Sequence, residues 1–294
     1  MKNVLVTGGA GFIGSHLCEA LLGRGYFVRV LDNLSYGRRE WVPDGAQFLE
    51  GDIRDLERCR TAAAGMDGVF HFAAMSRSGP SQDQIEVCTG SNIVGTQNML
   101  LAARDAGARR FLYSGSSTFY GSRPPPHRET DPPDFLNIYG LTKRVGEQFT
   151  LLFDKNFGLS SLVLRFFNVY GPRQPETGPY ALVLGIFLER RAEGKPLEIH
   201  GDGSQRRDFV HVRDVVAATV LAYESKHRGE IFNVGSGTNI SVKELADMIS
   251  ADQIFSSART GDAQATLADI SKIGAKLGWS PEISFAEALK ELIR

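Results

Sequence analysis

A phenol and an ammonium group stand four residues apart in Tyr139-Gly140-Leu141-Thr142-Lys143, a spacing that sets both on one face of a helix. A free tyrosine titrates at about 10 and is a poor base near neutrality. A neighbouring cation favours its phenolate, so the pair reads as a unit for taking a proton. Such a pair recurs by chance on exposed helices, and its surroundings give it weight. A strand over residues 110–114 runs into Ser114-Gly115-Ser116-Ser117-Thr118-Phe119-Tyr120-Gly121. Hydroxyls at the carboxyl end of a sheet strand lie where open α/β folds bind ligands. Ser116 or Thr118 is therefore the expected proton relay to Tyr139, whereas Ser114 and Ser117 read as parts of a polar turn.

A second constellation is Thr7-Gly8-Gly9-Ala10-Gly11-Phe12-Ile13-Gly14, between the first strand and the first helix. Glycines at 8, 11 and 14 permit a tight turn and bring backbone amides close to a pyrophosphate at the helix N-terminus. Asp32 closes the second strand 18 residues after Gly14. A carboxylate there accepts hydrogen bonds from the adenosine ribose and repels a 2′-phosphate, which predicts NAD as cofactor. Arg38 and Arg39 come later in the loop and weaken that preference slightly. Asp52, in Gly51-Asp52-Ile53, could meet the adenine amino edge or be an ordinary Asp-bearing turn. The expected cofactor contacts are Gly8, Gly11, Phe12, Ile13, Asp32 and Asn33 on the first two strand ends. Asp52, Ile53, Ala73, Tyr139 and Lys143 complete them.

These residues need a scaffold. Apolar, β-rich runs at 4–7, 27–32, 47–50, 68–72, 110–114 and 161–165 alternate with helical patterns at 13–24, 55–64, 92–106 and 139–157. Strands alternating with helices predict a doubly wound parallel α/β sheet. After Asn168 the rhythm breaks, with Gly171-Pro172, Gln174-Pro175 and Gly178-Pro179 close together. We expect a Rossmann domain over 1–168 and a smaller mixed α/β substrate lobe over 169–294, with 209–234 returning to the first. Pro124-Pro125-Pro126 reads as a stiff, polyproline-like rim.

Composition narrows the partners. The 294 residues are 42% hydrophobic and carry a formal net charge of −1, so nothing draws the chain to nucleic acid or to an anionic membrane. Cys18, Cys59 and Cys88 form no CxxC or zinc pattern, and Cys18 and Cys59 read as small core residues. A strand starting directly after Met1-Lys2-Asn3, with no long apolar run elsewhere, leads us to expect a cytoplasmic protein. His71 lies in an apolar run and reads as structural, as does His211; His200 is a third candidate, and no metal site is expected.

Together these segments resemble the extended short-chain dehydrogenases/reductases, in the branch of NAD-dependent sugar epimerases and dehydratases. The resemblance rests on TGGAGFIGSHL, DNLSYG, GDIRD, HFAA, SSTFYG, YGLTK, LRFFNVYGPR, HGDGSQRRDFVHVRD, FNVGSG and LGWSP, in order along nearly the whole chain. It is closest to the UDP-hexose 4-epimerases. The resemblance implies that Tyr139 and Lys143 are the catalytic pair, assisted by Ser116, with Thr118 near the reacting sugar hydroxyl. It also implies that Asn168, Arg207 and Arg259 hold the substrate diphosphate, which suits a near-neutral protein that must bind an anion locally. Arg206 stays ambiguous beside Arg207. Sugar-nucleotide 4,6-dehydratases carry Asp-Glu where this chain has Ser117-Thr118, so dehydration is not expected.

The expected reaction inverts C4 of a UDP-hexose, UDP-glucose/UDP-galactose first and UDP-glucuronate or UDP-N-acetylglucosamine next, through a transient 4-keto sugar. A reductase of the same family and a non-enzymic NAD-binding sensor are the alternatives. Met75, Arg77 and Ala181 are expected near the sugar. The resemblance further implies a homodimer through a four-helix bundle, with 92–106 and 139–157 as candidate helices.

Overall fold

The computed structural model describes residues 2–76, 78–176, 181–257 and 263–293. In chain order the first part comprises β1 (Asn3–Thr7), α1 (Phe12–Gly23), β2 (Phe27–Asp32), β3 (Gln47–Glu50), α2 (Leu56–Ala63) and β4 (Gly68–His71). Next come α3 (Ser78–Asp83), α4 (Ile85–Thr89), α5 (Gly95–Asp105), β5 (Arg110–Ser116), α6 (Ile138–Phe157), β6 (Ser160–Phe166) and β7 (Asn168–Tyr170). The second part holds α7 (Val183–Ala192), β8 (Leu197–His200), β9 (Arg206–Arg207), β10 (Phe209–His211), α8 (Val212–Glu224), β11 (Glu230–Val234) and β12 (Ile240–Ser241). It closes with α9 (Val242–Ile249), β13 (Gln253–Ser256), α10 (Ser271–Leu277) and α11 (Phe285–Leu292).

Seven strands form one parallel sheet in the order β3-β2-β1-β4-β5-β6-β11. Successive side chains point to opposite faces, as the two-residue period of a strand requires. Thus Val4 and Val6 of β1 pack with Leu17 and Leu21 of α1 and with Val215 and Val216 of α8. Leu5 instead joins Cys59 of α2, Met99 of α5 and Phe153 of α6. Strand order reverses between β1 and β4, and ligands of such sheets bind outside the carboxyl ends at that crevice.

The second lobe has its own core, in which Phe187 and Leu188 of α7, Leu197 and Ile199 of β8, Leu245 of α9 and Leu289 of α11 meet. Three two-stranded ribbons serve it: β7 with β10, β8 with β13, and β9 with β12. Of the stretch expected to return to the first core, β11 completes the main sheet and α8 covers it, whereas β10 pairs with β7. Ile273 of α10 and Trp279 also enter the main core, a return that the sequence did not announce.

Two local expectations are corrected. The helix expected over 92–106 opens with a π-helical turn at Gly90–Val94 before α5 begins. The Asn92 side chain projects from that turn to Met75 and Thr142, and a Cβ on Gly95 would crowd Ile53 Cδ1 at 2.5 Å, so the turn packs closely on both. The proline run contains a cis Pro125–Pro126 bond and so departs from a polyproline helix. Among the described residues no helix is long and apolar enough to cross a membrane.

Candidate active site

A cleft of about 1200 Å³ runs along the carboxyl ends of the strands and between the two lobes. The glycine turn forms one end. Gly8 adopts φ 73°, a left-handed conformation that glycine takes without strain. A Cβ on it would lie 2.7 Å from the Ala73 amide nitrogen, and one on Gly14 would run into the Gly8 carbonyl oxygen. Gly11 caps α1 without any side-chain hydrogen bond, and the helix's first turn carries no acidic residue. The amides at this N-terminus are thus left to an anionic ligand, and the turn fits the pyrophosphate of NAD.

Asp32 is 8% exposed, and its two oxygens accept from the backbone N–H groups of Ala10 (3.0 Å) and Leu34 (2.9 Å). Burial pushes its carboxyl above the usual range, and these N–H bonds oppose the shift. Each oxygen keeps a lone pair for a ribose hydroxyl, so Asp32 suits the predicted role. Asp52 already carries partners of its own. Its carboxylate takes Arg54 Nε at 2.9 Å, Arg54 Nη2 at 2.6 Å, the Arg54 amide at 2.8 Å and Asn33 Nδ2 at 2.8 Å. The arginine beside it holds this carboxyl down at about 2. Asp52 nonetheless lines the cleft beside Ile53 and Asn33, so an adenine amino group would share this carboxylate with those donors. Phe12, Ile13, Ile53 and Ala73 line the same end of the cleft.

The predicted catalytic residues converge in the middle. Helix α6 starts at Asn137, whose side chain accepts from the Gly140 amide at 2.9 Å. A Cβ on Gly140 would stand 3.0 Å from the Thr118 carbonyl oxygen, so glycine lets the first turn of α6 press against segment 116–118. Tyr139 and Lys143, one turn apart, line the cleft together with Ser116 and Thr118. Ser116 Oγ and Thr118 Oγ1 are hydrogen-bonded at 2.8 Å. Lys143 is 5% exposed; burial pushes its ammonium down to about 7. Its Nζ donates to Ser114 Oγ at 3.4 Å and lies 4.4 Å from the centre of the Tyr113 ring.

Ser114 was read from sequence as a turn residue, yet it is this lysine's hydrogen-bond partner. The strand outlasts the apolar run: β5 continues to Ser116, and two-residue alternation then puts Ser114 and Ser116 on one face. Asn92 is a second residue that the sequence reading missed. Its side chain accepts from Met75 N (2.8 Å) and donates to Met75 O (2.9 Å) and Thr142 Oγ1 (2.9 Å). Thr142 in turn donates to the Tyr139 carbonyl at 2.9 Å. Asn92 thereby joins the loop after β4 to the helix that carries Tyr139 and Lys143. One turn beyond Lys143, the buried Glu147 accepts from Arg165 Nε (2.9 Å) and Nη2 (2.8 Å), which ties α6 to β6.

At the far end Arg207 lines the cleft, while Arg206 turns outward to Asn239 and Glu244, as neighbours on a strand do. Asn168 lines the cleft too, but both hydrogens of its amide are engaged, one by Asp208 O (3.0 Å) and one by Thr266 Oγ1 (3.2 Å). A diphosphate offers acceptors alone, so Asn168 can donate to it only by releasing one of these bonds. Arg259 and Arg77 lie outside the described residues. Met75 and Ala181 line the cleft. His71 is buried between Thr7 Oγ1 (2.8 Å) and Thr96 Oγ1 (3.1 Å), where burial depresses it to about 3. His211 caps α8, and His200 Nδ1 meets Ser256 Oγ at 2.7 Å on the cleft wall.

The chain is similar to known proteins along nearly its whole length. The model of the NAD dependent epimerase/dehydratase family matches residues 4–235. A putative UDP-glucose 4-epimerase of Methanocaldococcus jannaschii is 36% identical over 299 residues, covering 99% of this chain and 97% of that protein. Among solved structures, the UDP-glucose 4-epimerase of Thermotoga maritima with UDP-glucose superposes with a TM-score of 0.95 at 37% identity, covering 99% of this chain and 97% of the other. The UDP-N-acetylglucosamine 4-epimerase of Methanobrevibacter ruminantium, in complex with UDP-N-acetylmuramic acid, gives 0.94 at 32% with the same coverage.

Proposed function

The chain belongs to the NAD dependent epimerase/dehydratase family, and within it we propose that it is a UDP-hexose 4-epimerase with UDP-glucose and UDP-galactose as its favoured pair. One observation carries the reading: Tyr139 and Lys143 line the cleft with Ser116 and Thr118, on a segment that offers hydroxyls and no carboxylate. Loss of water from a sugar needs an acid and a base beside the ring, and residues 116–118 supply neither. Inversion needs one proton taken and returned, a task for a single phenol. The relatives named for UDP-glucose support the nucleotide and the hexose.

NAD fits the glycine turn, Asp32 and Lys143, and when bound it supplies reversible two-electron oxidation at the sugar carbon. The chain's own residues do the rest. Tyr139 Oη takes the proton of the C4 hydroxyl and returns it to the ketone oxygen after the ring has turned over. Lys143 in its charged form stabilises the Tyr139 phenolate, and Ser114 holds the amine in place. Ser116 and Thr118, hydrogen-bonded to each other, orient the reacting hydroxyl. Arg207 and Arg259, with Asn168 once it releases Asp208 or Thr266, tether the diphosphate, which keeps the ketone in the cleft while the ring reorients. We also propose a cytoplasmic homodimer. Exposed Leu141 and Leu152 share a face of α6, beside the exposed Ile85 and Val87 of α4 and Val94 of the π-turn.

The test is a panel of UDP-glucose, UDP-galactose, UDP-N-acetylglucosamine and UDP-glucuronate, resolved by anion-exchange chromatography. Interconversion of the first two, with no net change in reduced-nicotinamide absorbance, is expected. Stoichiometric consumption of reduced cofactor would replace this reading with a reductase, and inversion of the third or fourth sugar alone would reassign the substrate.

A further inference from the structure

The segment that leaves β7 for the second lobe, residues 171–176, is fastened to the cofactor helix. Arg173 Nη1 donates to Ser15 Oγ at 3.1 Å, and its Nη2 pairs with the Glu19 carboxylate. The neighbouring Pro172 carbonyl accepts from His16 Nε2 at 2.9 Å, and His16 Nδ1 lies 3.8 Å from Glu19. Three residues on the first two turns of α1 thus grip two consecutive residues of the loop. On its other side the loop lies against α7, so closely that a Cβ on Gly185 would overlap the Pro175 carbonyl oxygen.

This strap is not a conformation the backbone favours unaided. Arg173 sits at φ 65°, in the left-handed region that L residues rarely adopt. Gln174 buries its Nε2 without a hydrogen-bond partner. A glycine at 173 would remove the first penalty, yet the chain places there the side chain that reaches α1. Such local strain persists where surrounding contacts over-determine it. The strap's Arg173, Gln174 and Pro175 line the same cleft as Gly11, Phe12 and Ile13 of the glycine turn.

We propose that Arg173 and His16 form a latch that holds this strap over the cofactor end of the cleft and sets how slowly NAD leaves. Both are positioning residues, acting through the strap. The inference rests on NAD occupying the glycine turn and does not depend on which sugar nucleotide is the substrate. A cofactor that ends each cycle oxidised has no need to exchange, and one that left early would strand a ketone.

The experiment loads the purified protein with isotopically labelled NAD, chases with unlabelled NAD in the absence of any sugar nucleotide, and follows label loss after rapid gel filtration. Arg173→Gly is expected to keep or raise Tm, because the backbone strain is relieved, while NAD leaves about fivefold faster, the factor for one partly exposed ion pair. His16→Ala, which keeps the arginine, should accelerate release in the same direction. The exchanged pair Glu19→Arg with Arg173→Glu should restore slow release. Unchanged release in Arg173→Gly and His16→Ala overturns the latch. Release that stays fast in the exchanged pair overturns it too, since Arg173 would then be acting on the cofactor itself. Because no sugar is present, either failure leaves the epimerase assignment standing, and a failed substrate panel leaves the latch standing.

Discussion

Lys143 shows how one side chain acquires its chemistry from its setting. Burial against the Tyr113 ring brings its ammonium to about 7, so near neutrality it exchanges readily between charged and neutral forms. Tyr139→Phe removes the proton acceptor without touching the glycine turn; turnover should fall by roughly 10²–10⁴, the usual weight of a general base, with NAD content unchanged. Comparing turnover with bound-NAD content checks this, and near-normal epimerisation would remove Tyr139 from the mechanism. His71 makes a separate prediction. Its pKa is about 3 when folded, from burial first and the nearby Lys143 charge second, against 6.5 when unfolded. The unfolded chain therefore binds the extra proton between those values, so stability is full above pH 6.5 and declines as pH falls, by at most about 1.4 kcal/mol per unit from this group. Urea denaturation from pH 7 down to about 5 should show that slope, and His71→Gln should flatten it if the variant folds.

At the scale of elements, the catalytic helix depends on what fixes its position. Asn92 holds both polar groups of Met75 and the Thr142 hydroxyl. Asn92→Ala leaves the two Met75 backbone groups buried without this partner and removes one donor from the Thr142 hydroxyl, which should cost about 2–3 kcal/mol and let α6 shift against the loop after β4. A drop in urea midpoint accompanied by a fall in kcat is expected; unaltered turnover would show that the clamp is purely structural. This element also marks what the sequence discloses. Local periodicity made the six first-half strands and their helices legible, and the strand-turn-helix setting pointed to Gly8, Gly11 and Asp32, which line one end of the cleft. The Tyr139–Lys143 spacing did the same for the middle of the cleft. The π-turn was invisible because Asn92 earns its conformation from Met75 and Thr142, far away along the chain. Asp52 differs in kind: its type and spacing suit an adenine contact, and the structure adds a local partner, Arg54, two residues on. The split roles of Arg206 and Arg207 needed the β9–β12 pairing to be seen.

At the scale of the whole molecule, the exposed apolar face of α4 and α6 predicts self-association. Leu141→Glu with Leu152→Glu places charges on that face, and sedimentation velocity should then report a monomer, against the dimer expected of the unmodified chain. A unmodified chain that sediments as a monomer would remove the dimer proposal. The threading of the chain carries a further consequence. The sheet's last strand, β11, and the covering residues Ile273 and Trp279 arrive only after the polypeptide has already visited the other core. Cutting after residue 168 would strip the sheet of an edge and uncover its apolar flank. A ribosome releasing this polypeptide therefore cannot finish the nucleotide-binding half first and add the rest afterwards; both halves have to wait for the tail.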